Sequence, residues 1–192
     1  MKKTELLIPV GNKECLLAAI HNGADAVYLG GKKFGARAYS NNFDNQEMIE
    51  AIKLCHLYGV KIYVTVNTMI YNEEINEVLN YLNFLNANNV DAVIMQDNGL
   101  IELARKYIPD LEIHVSTQAH NHSEPAINHY KELGCTRVVF DRESSLEAIN
   151  NIKTPIEKEV FVYGALCICY SGNCLFSALN GGRSANRGMC VG

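Results

Sequence analysis

Short runs rich in β-branched and aliphatic residues alternate with longer stretches of helical periodicity along almost the whole chain. The short runs cover residues 5–8, 26–29, 61–66, 92–95, 112–115, 137–140 and 159–163. The helical stretches cover 13–22, 45–58, 73–87, 99–107, 124–133 and 145–150. Strands therefore recur at intervals of roughly 20 to 35 residues, and a parallel crossover of this kind needs about a dozen residues or more. Repeated β/α units are the natural reading, and two architectures satisfy them: a (β/α) barrel and an open doubly wound sheet.

Two details select the barrel. The residues just past the strands are polar or Gly: Gly30 and Gly31, Asn67, Gln96 and Asp97, Ser116 and Gln118, Asp141 and Arg142, and Gly164. A barrel gathers all its strand C-termini around one mouth, whereas an open sheet needs such groups mainly at its switch point. The alternation inside the strands agrees. Ile62, Val64 and Val66 share one face with Tyr63, Thr65 and Asn67 on the other, and Ile113 and Val115 oppose His114 and Ser116. The apolar set is assigned to the helices and the mixed set to the lumen. No Rossmann fingerprint follows the first strand, where Pro9-Val10-Gly11-Asn12 holds one glycine. The expected fold is α/β, a TIM-like (β/α) barrel of about seven parallel strands over residues 1–164, followed by a Cys- and Gly-rich region over 165–192.

Composition narrows the function classes. With 48% hydrophobic and 20% charged residues among 192, the chain is neither disordered, collagen-like nor a coiled coil. Seventeen Lys+Arg against twenty-one Asp+Glu exclude a strongly basic nucleic-acid protein, while leaving room for a local basic patch. No apolar run approaches the length of about eighteen residues that a membrane helix needs. The apolar run near the N-terminus is stopped by Gly11-Asn12-Lys13-Glu14, too early for a signal peptide. A cytoplasmic location without membrane partners is expected.

Seven cysteines, an odd number without a secretory route, point to free thiols for metal binding or catalysis. Four of them, Cys167, Cys169, Cys174 and Cys190, fall in the last 26 residues, directly after the seventh strand. Converging soft thiolates suit an iron–sulfur cluster or zinc. Two thiols separated by one residue reach a single cluster poorly, so Cys167, Cys174 and Cys190 are the candidate metal ligands. Cys15, Cys55 and Cys135 are read as packing residues. His114, Ser116, Gln118 and Asn67 are catalytic candidates because they sit at the mouth or on the lumen face. Arg183, Asn186 and Arg187, in a Gly-rich stretch, are candidates for binding a substrate carboxylate or phosphate. His120 and His122 are read as solvated, and Asp141 and Arg142 as a surface ion pair. No His-Glu-x-x-His segment supports a metalloprotease. A cysteine nucleophile needs a base, and Cys167 with His114 across the mouth is the pair on offer.

The segment Glu159-Val160-Phe161-Val162-Tyr163-Gly164-Ala165-Leu166-Cys167, followed by Gly172-Asn173-Cys174-Leu175-Phe176-Ser177, resembles the signature of the peptidase U32 family. Phe176 stands where an aliphatic residue is usual, and Tyr163 where many members carry His. Gly23-Ala24-Asp25-Ala26-Val27-Tyr28-Leu29-Gly30-Gly31, His114-Val115-Ser116-Thr117-Gln118 and Ala185-Asn186-Arg187-Gly188-Met189-Cys190 resemble it too. The resemblance implies one of two activities. Some members are named as collagenase-like peptidases, acting on peptides. Others add oxygen atoms, without molecular oxygen, to tRNA uridine, ribosomal RNA cytidine or ubiquinone precursors, with prephenate implicated for the RNA group. It also implies a 4Fe-4S cluster held by four cysteines, the first three mapping onto Cys167, Cys174 and Cys190. Family members run longer, so the sequence is read as an N-terminal portion. An eighth strand and a fourth thiol are expected further along, and no intact cluster within residues 1–192. An iron–sulfur-dependent hydroxylation enzyme acting on RNA is the expected function, with a Cys-nucleophile peptidase as the alternative.

Overall fold

The computed structural model describes residues 3–37, 40–165 and 167–190. Seven strands, β1 (Leu7–Pro9), β2 (Ala26–Gly30), β3 (Lys61–Val66), β4 (Ala92–Met95), β5 (Ile113–Val115), β6 (Arg137–Val139) and β7 (Glu157–Glu159), form one sheet in chain order. Every neighbouring pair is parallel. The crossovers are α1 (Lys13–His21), α2 (Asn45–Leu57), α3 (Ile75–Ala87), α4 (Asn98–Tyr107), α5 (Glu124–Glu132) and α6 (Leu146–Asn151). The sheet curls into a part-barrel with the helices outside.

Local chemistry sets the helix starts. Asn12 Oδ1 accepts from the Cys15 N–H at 2.8 Å ahead of α1. Asp44 and Glu47 form a reciprocal capping box at α2, at 2.9 and 2.8 Å. Asp97, directly past β4, accepts from the Leu100 N–H at 3.0 Å and so starts α4 at the mouth.

The two faces of the sheet divide as the alternation requires. Val27, Leu29, Ile62, Val64, Val66, Val93, Met95, Ile113, Val115 and Val138 pack with the helices in one large core. Ala26, Tyr63, Ala92 and Ile94 form a separate, smaller cluster inside the curl, with Leu7 and Tyr28 against it. Deeper still lies a charged layer at the N-terminal ends of the strands. The Arg137 guanidinium, 8% exposed, pairs with Glu5 at 2.7 Å, Glu157 at 2.8 Å and Glu159 at 3.3 Å. It also stacks over the Tyr63 ring, 5.1 Å from the centroid, and the Tyr63 hydroxyl donates to Glu5 at 3.0 Å. One side chain on β6 thereby ties β7 to the residues leading into β1, across the lumen. Burial pushes the Glu5 carboxyl up, but the bonds and charge of Arg137 outweigh it and hold Glu5 below the usual range. Glu159 is the opposite case: burial wins over Arg137 and raises it.

β7 departs from the sequence expectation. The pattern Glu159-Val160-Phe161-Val162-Tyr163 reads as a strand, yet pairing is confined to Glu157–Glu159, and Val162 and Tyr163 are 86% and 98% exposed. The charged residues are accommodated because each has a partner. Glu157 and Glu159 meet Arg137, while Lys158 Nζ donates to the Ile149 and Ile152 carbonyls near the end of α6, at 2.8 and 2.7 Å. Past β7 the chain is not wholly loop: α7 (Phe176–Gly181) and a 3₁₀ turn (Ala185–Arg187) occur there. Cys55 and Cys135 are buried packing residues, and burial raises their thiols to about 12 and about 11. Cys15, by contrast, is exposed, because its position on α1 faces away from the core. Among the described residues, no helix is long and apolar enough to cross a membrane.

Candidate functional site

At the C-terminal ends of β3, β4 and β5 a set of amides interlocks. Asn67, just past β3, accepts from the Ala36 N–H at 3.0 Å and directs its amide nitrogen at the Ser116 hydroxyl, 3.4 Å away. Gln96, just past β4, donates to the Asn67 carbonyl at 2.7 Å and to Gln118 Oε1 at 3.1 Å. The Ser116 hydroxyl also accepts from the Gln118 N–H at 3.2 Å and caps the 3₁₀ turn Thr117–Ala119. Asn121, fully buried, donates to the Ser116 and Val139 carbonyls at 2.8 and 2.9 Å and so joins the ends of β5 and β6. Three catalytic candidates, Asn67, Ser116 and Gln118, therefore belong to one network that Gln96 completes.

A cavity of about 320 Å³ opens above this network, lined among others by Gln96, Asn98, Gln118, His120, Asn173 and Asn186. Half of its lining residues, Gln96, Asn98, Gln118, Asn173 and Asn186, carry neutral amides, able to donate and accept together, as the edge of a nucleobase or a carboxylate requires. Asn173 and Asn186 arrive from the tail beyond β7, which folds back over the mouth. Gly172 makes this approach possible. It has φ +75°, and a Cβ there would stand 1.9 Å from the Gln118 carbonyl oxygen. The His120 ring bonds through Nδ1 to the Ser171 carbonyl at 3.1 Å, and the Ser171 N–H donates to Glu143 at 3.2 Å.

The thiols sit on the same tail. Arg142, past β6, donates to the carbonyls of Cys167 and Cys169 at 2.6 and 2.8 Å. The expected Asp141–Arg142 pair is not what these residues form: Arg142 turns to the thiol loop, and Asp141 accepts from the Ser144 N–H at 3.1 Å. Cys169 is raised to about 11, first by the Cys174 thiol and also by Cys167. Cys167 is lowered by the Cys169 backbone N–H and by Arg142. Among the described residues, no three of Cys167, Cys169, Cys174 and Cys190 bring their sulfurs within 4.8 Å of one another, so the expected ligand set Cys167, Cys174 and Cys190 is not gathered at one point. Cys190 is exposed, after the 3₁₀ turn at Ala185–Arg187; Leu166 of the motif lies outside the described residues. Cys167, exposed and lowered beside Arg142, is the thiol on this loop that fits a soft-metal donor: the positive charge favours its thiolate, and sulfur is the matching ligand.

Two other candidates take different places. His114 faces the lumen, but in the deep charged layer rather than at the mouth. It is 1% exposed, meets Glu112 at 3.3 Å and packs edge-on against Tyr63 with ring centroids 4.6 Å apart. Strand alternation sets its face but not its depth; two residues separate it from Ser116, and that step moves it out of the mouth layer. Burial lowers its pKa against the pull of Glu112. Cys167 and His114 therefore do not form a nucleophile–base pair here. Arg187 is committed to Glu74, with a bidentate pair at 2.6 and 2.7 Å, to the Met69 carbonyl, and to the Tyr71 ring at 4.4 Å. It fastens the tail to the β3–α3 loop instead of facing substrate. Arg183 is exposed at the end of α7, and Asn186 lines the cavity.

The sequence model of peptidase family U32 matches residues 11–192. Tested against curated proteins, the chain is 41% identical to tRNA hydroxylation protein P1 of Bacillus subtilis, over 98% of this chain and 45% of that protein. It is 40% identical to the 23S rRNA 5-hydroxycytidine C2501 synthase of Escherichia coli, over 98% of this chain and 28% of that one. The chain thus spans less than half the length of these relatives. In fold it is similar to the solved structure of the U32 peptidase Mk0906, with a TM-score of 0.67 over 82% of this chain and 67% of the other at 17% identity. The chain belongs to peptidase family U32.

Proposed function

We propose that the protein acts as an iron–sulfur-dependent, oxygen-independent hydroxylation enzyme on RNA, modifying a tRNA uridine or a ribosomal RNA cytidine, with prephenate as co-substrate. The observation that carries this reading is a loop bearing Cys167, Cys169 and Cys174, held by Arg142 through two backbone carbonyls, next to a cavity at the barrel mouth with five amide side chains in its lining. The relatives named for tRNA and rRNA hydroxylation supply the substrate class. Cys167, Cys174 and Cys190 would hold a 4Fe-4S cluster once the tail draws their sulfurs together. When bound, such a cluster supplies one-electron chemistry. The residues of this chain do the rest. Gln96, Gln118 and Asn186 offer paired donors and acceptors to a base edge or a carboxylate, and Asn67 and Ser116 hold those amides in place. Arg183, exposed at the rim, offers a guanidinium to phosphate or carboxylate. The cytoplasmic location expected from the sequence belongs to the same reading.

The peptidase alternative draws on one observation, the lowered thiol of Cys167. The groups that lower it are the Cys169 backbone N–H, Arg142 and the Cys169 thiol, none of which is an imidazole or carboxylate base. The test is anaerobic purification of the full-length protein. Iron, acid-labile sulfide and a broad visible absorption are expected, all lost in Cys167→Ala and Cys174→Ala. RNA from a deletion strain should lack one hydroxylated nucleoside by mass spectrometry. A colourless, iron-free protein that cleaves a gelatin peptide would overturn the reading.

A further inference from the structure

The geometry points to a second metal site, separate from the thiols, in which His120, His122 and Asp141 bind one divalent transition-metal ion at the rim of the mouth between β5 and β6. One ring nitrogen from each histidine and one Asp141 carboxylate oxygen all lie within 4.8 Å of one another. Two imidazoles and one carboxylate on one side of an ion are a donor set for Fe2+, Co2+ or Zn2+, and leave further coordination positions open.

Three features of these residues argue for a missing cation. The first is the Asp141 carboxylate, 3% exposed at the end of β6. Its Oδ1 accepts from the Ser144 N–H at 3.1 Å, while Oδ2 faces His122 Nδ1 at 3.9 Å, beyond hydrogen-bonding distance. A buried carboxylate requires a counter-charge. The adjacent Arg142 does not provide it, because its guanidinium is used by the Cys167 and Cys169 carbonyls. The second is the His120 tautomer. A carbonyl oxygen only accepts, so the 3.1 Å bond to Ser171 puts the ring proton on Nδ1 and leaves the Nε2 lone pair as a ligand. Backbone carbonyls orient metal-binding histidines in the same way. The third is the backbone. His120 adopts φ 59° and ψ 59°, a left-handed conformation uncommon outside glycine but one that His, Asn and Asp enter most readily, and it stands with the two rings 4.7 Å apart between centroids. His122 Nδ1 reaches the His120 carbonyl at 3.0 Å, so by the same rule its ring proton sits on Nδ1 and Nε2 is its ligand atom.

His120 also lines the cavity above the amide network. An ion held here would therefore present its open positions to whatever occupies that cavity, and an oxygen-rich ligand such as a carboxylate would be drawn to it. The donors are nitrogen and oxygen only, which distinguishes this site from the sulfur centre experimentally.

The experiment is a Co2+ titration of the full-length protein, stripped with chelator, followed by visible absorption. One equivalent should bind with the weak ligand-field bands of a nitrogen–oxygen site and without sulfur-to-cobalt charge transfer. Binding should persist in Cys167→Ser and Cys174→Ser. In Asp141→Asn and His122→Ala it should weaken by at least about 100-fold, since even outer-shell losses reach that range. His120→Asn is the control for folding, because Asn tolerates the left-handed backbone; it should keep the circular dichroism of the parent and lose the ion. Co2+ bound only with sulfur charge transfer, bound equally in Asp141→Asn, or not bound at all overturns the site. None of these outcomes depends on RNA hydroxylation, so this site and the proposed activity can fail separately.

Discussion

Replacing Arg137 by Met keeps most of the stem volume and removes the one charge that faces Glu5, Glu157 and Glu159 together. Removing one partner of a buried ion pair costs about 3–5 kcal/mol, because the other charge stays behind without compensation. The low end applies here, since the Glu157 side chain is 49% exposed and Glu5 25%, so water screens part of the loss. Losing the stack on Tyr63 adds roughly 0.5–1 kcal/mol. A total of about 3.5–4 kcal/mol, divided by a urea slope of about 2 kcal/mol/M for a chain of this size, lowers the midpoint by about 2 M. Urea unfolding followed by circular dichroism reads it directly. Glu5→Gln added to Arg137→Met should restore part of the stability, because it removes the stranded anion. A loss under about 1 kcal/mol, or no recovery in the double variant, refutes a lumen held in its curl by this charge layer.

His114 makes stability fall with acid over a defined window. Its folded pKa lies below the unfolded value of 6.5, so the unfolded chain takes up the proton first as pH drops. The stabilising contribution is complete above 6.5 and is lost as pH falls from there through the folded pKa. The urea midpoint should decline as pH falls below about 6.5, and His114→Gln should flatten that decline; equal slopes in both proteins would show that burial does not depress this imidazole. Gly172→Ala would place a Cβ 1.9 Å from the Gln118 carbonyl oxygen at φ +75°. Beyond the strain of about 1–2 kcal/mol for that backbone region, the loop must lift away. Hydrogen exchange should speed up over residues 168–174 and stay constant in β3–β5, and unchanged loop protection would contradict the close approach.

The β/α succession was legible because strand and helix periods differ and six of the seven strands carry clean aliphatic runs. Strands β3 and β4 fall on the expected residues, and the mouth amides follow from strand ends alone. β7 was misplaced because its charged residues are tolerated only through Arg137 and the α6 carbonyls, partners distant in sequence. The same distance hid the Arg137 layer itself. A hint existed: Arg137 shares its strand parity with Val139, on the face opposite Val138, so a cation had to be neutralised inside. The roles of Arg187 and Arg142 had no local signal, since each is set by a loop more than twenty residues away.

The tail is pinned at separated points of the rim: to Glu74 after β3 by Arg187, to His120 after β5 by Ser171, and to Arg142 after β6 through two carbonyls. Sulfur geometry is consequently dictated by the circumference of the scaffold and not by the tail alone. An insertion in any one of those three connecting loops would detune the thiols from a distance, so sequence drift in remote loops becomes a route by which relatives on one frame can diverge in reactivity while retaining every cysteine.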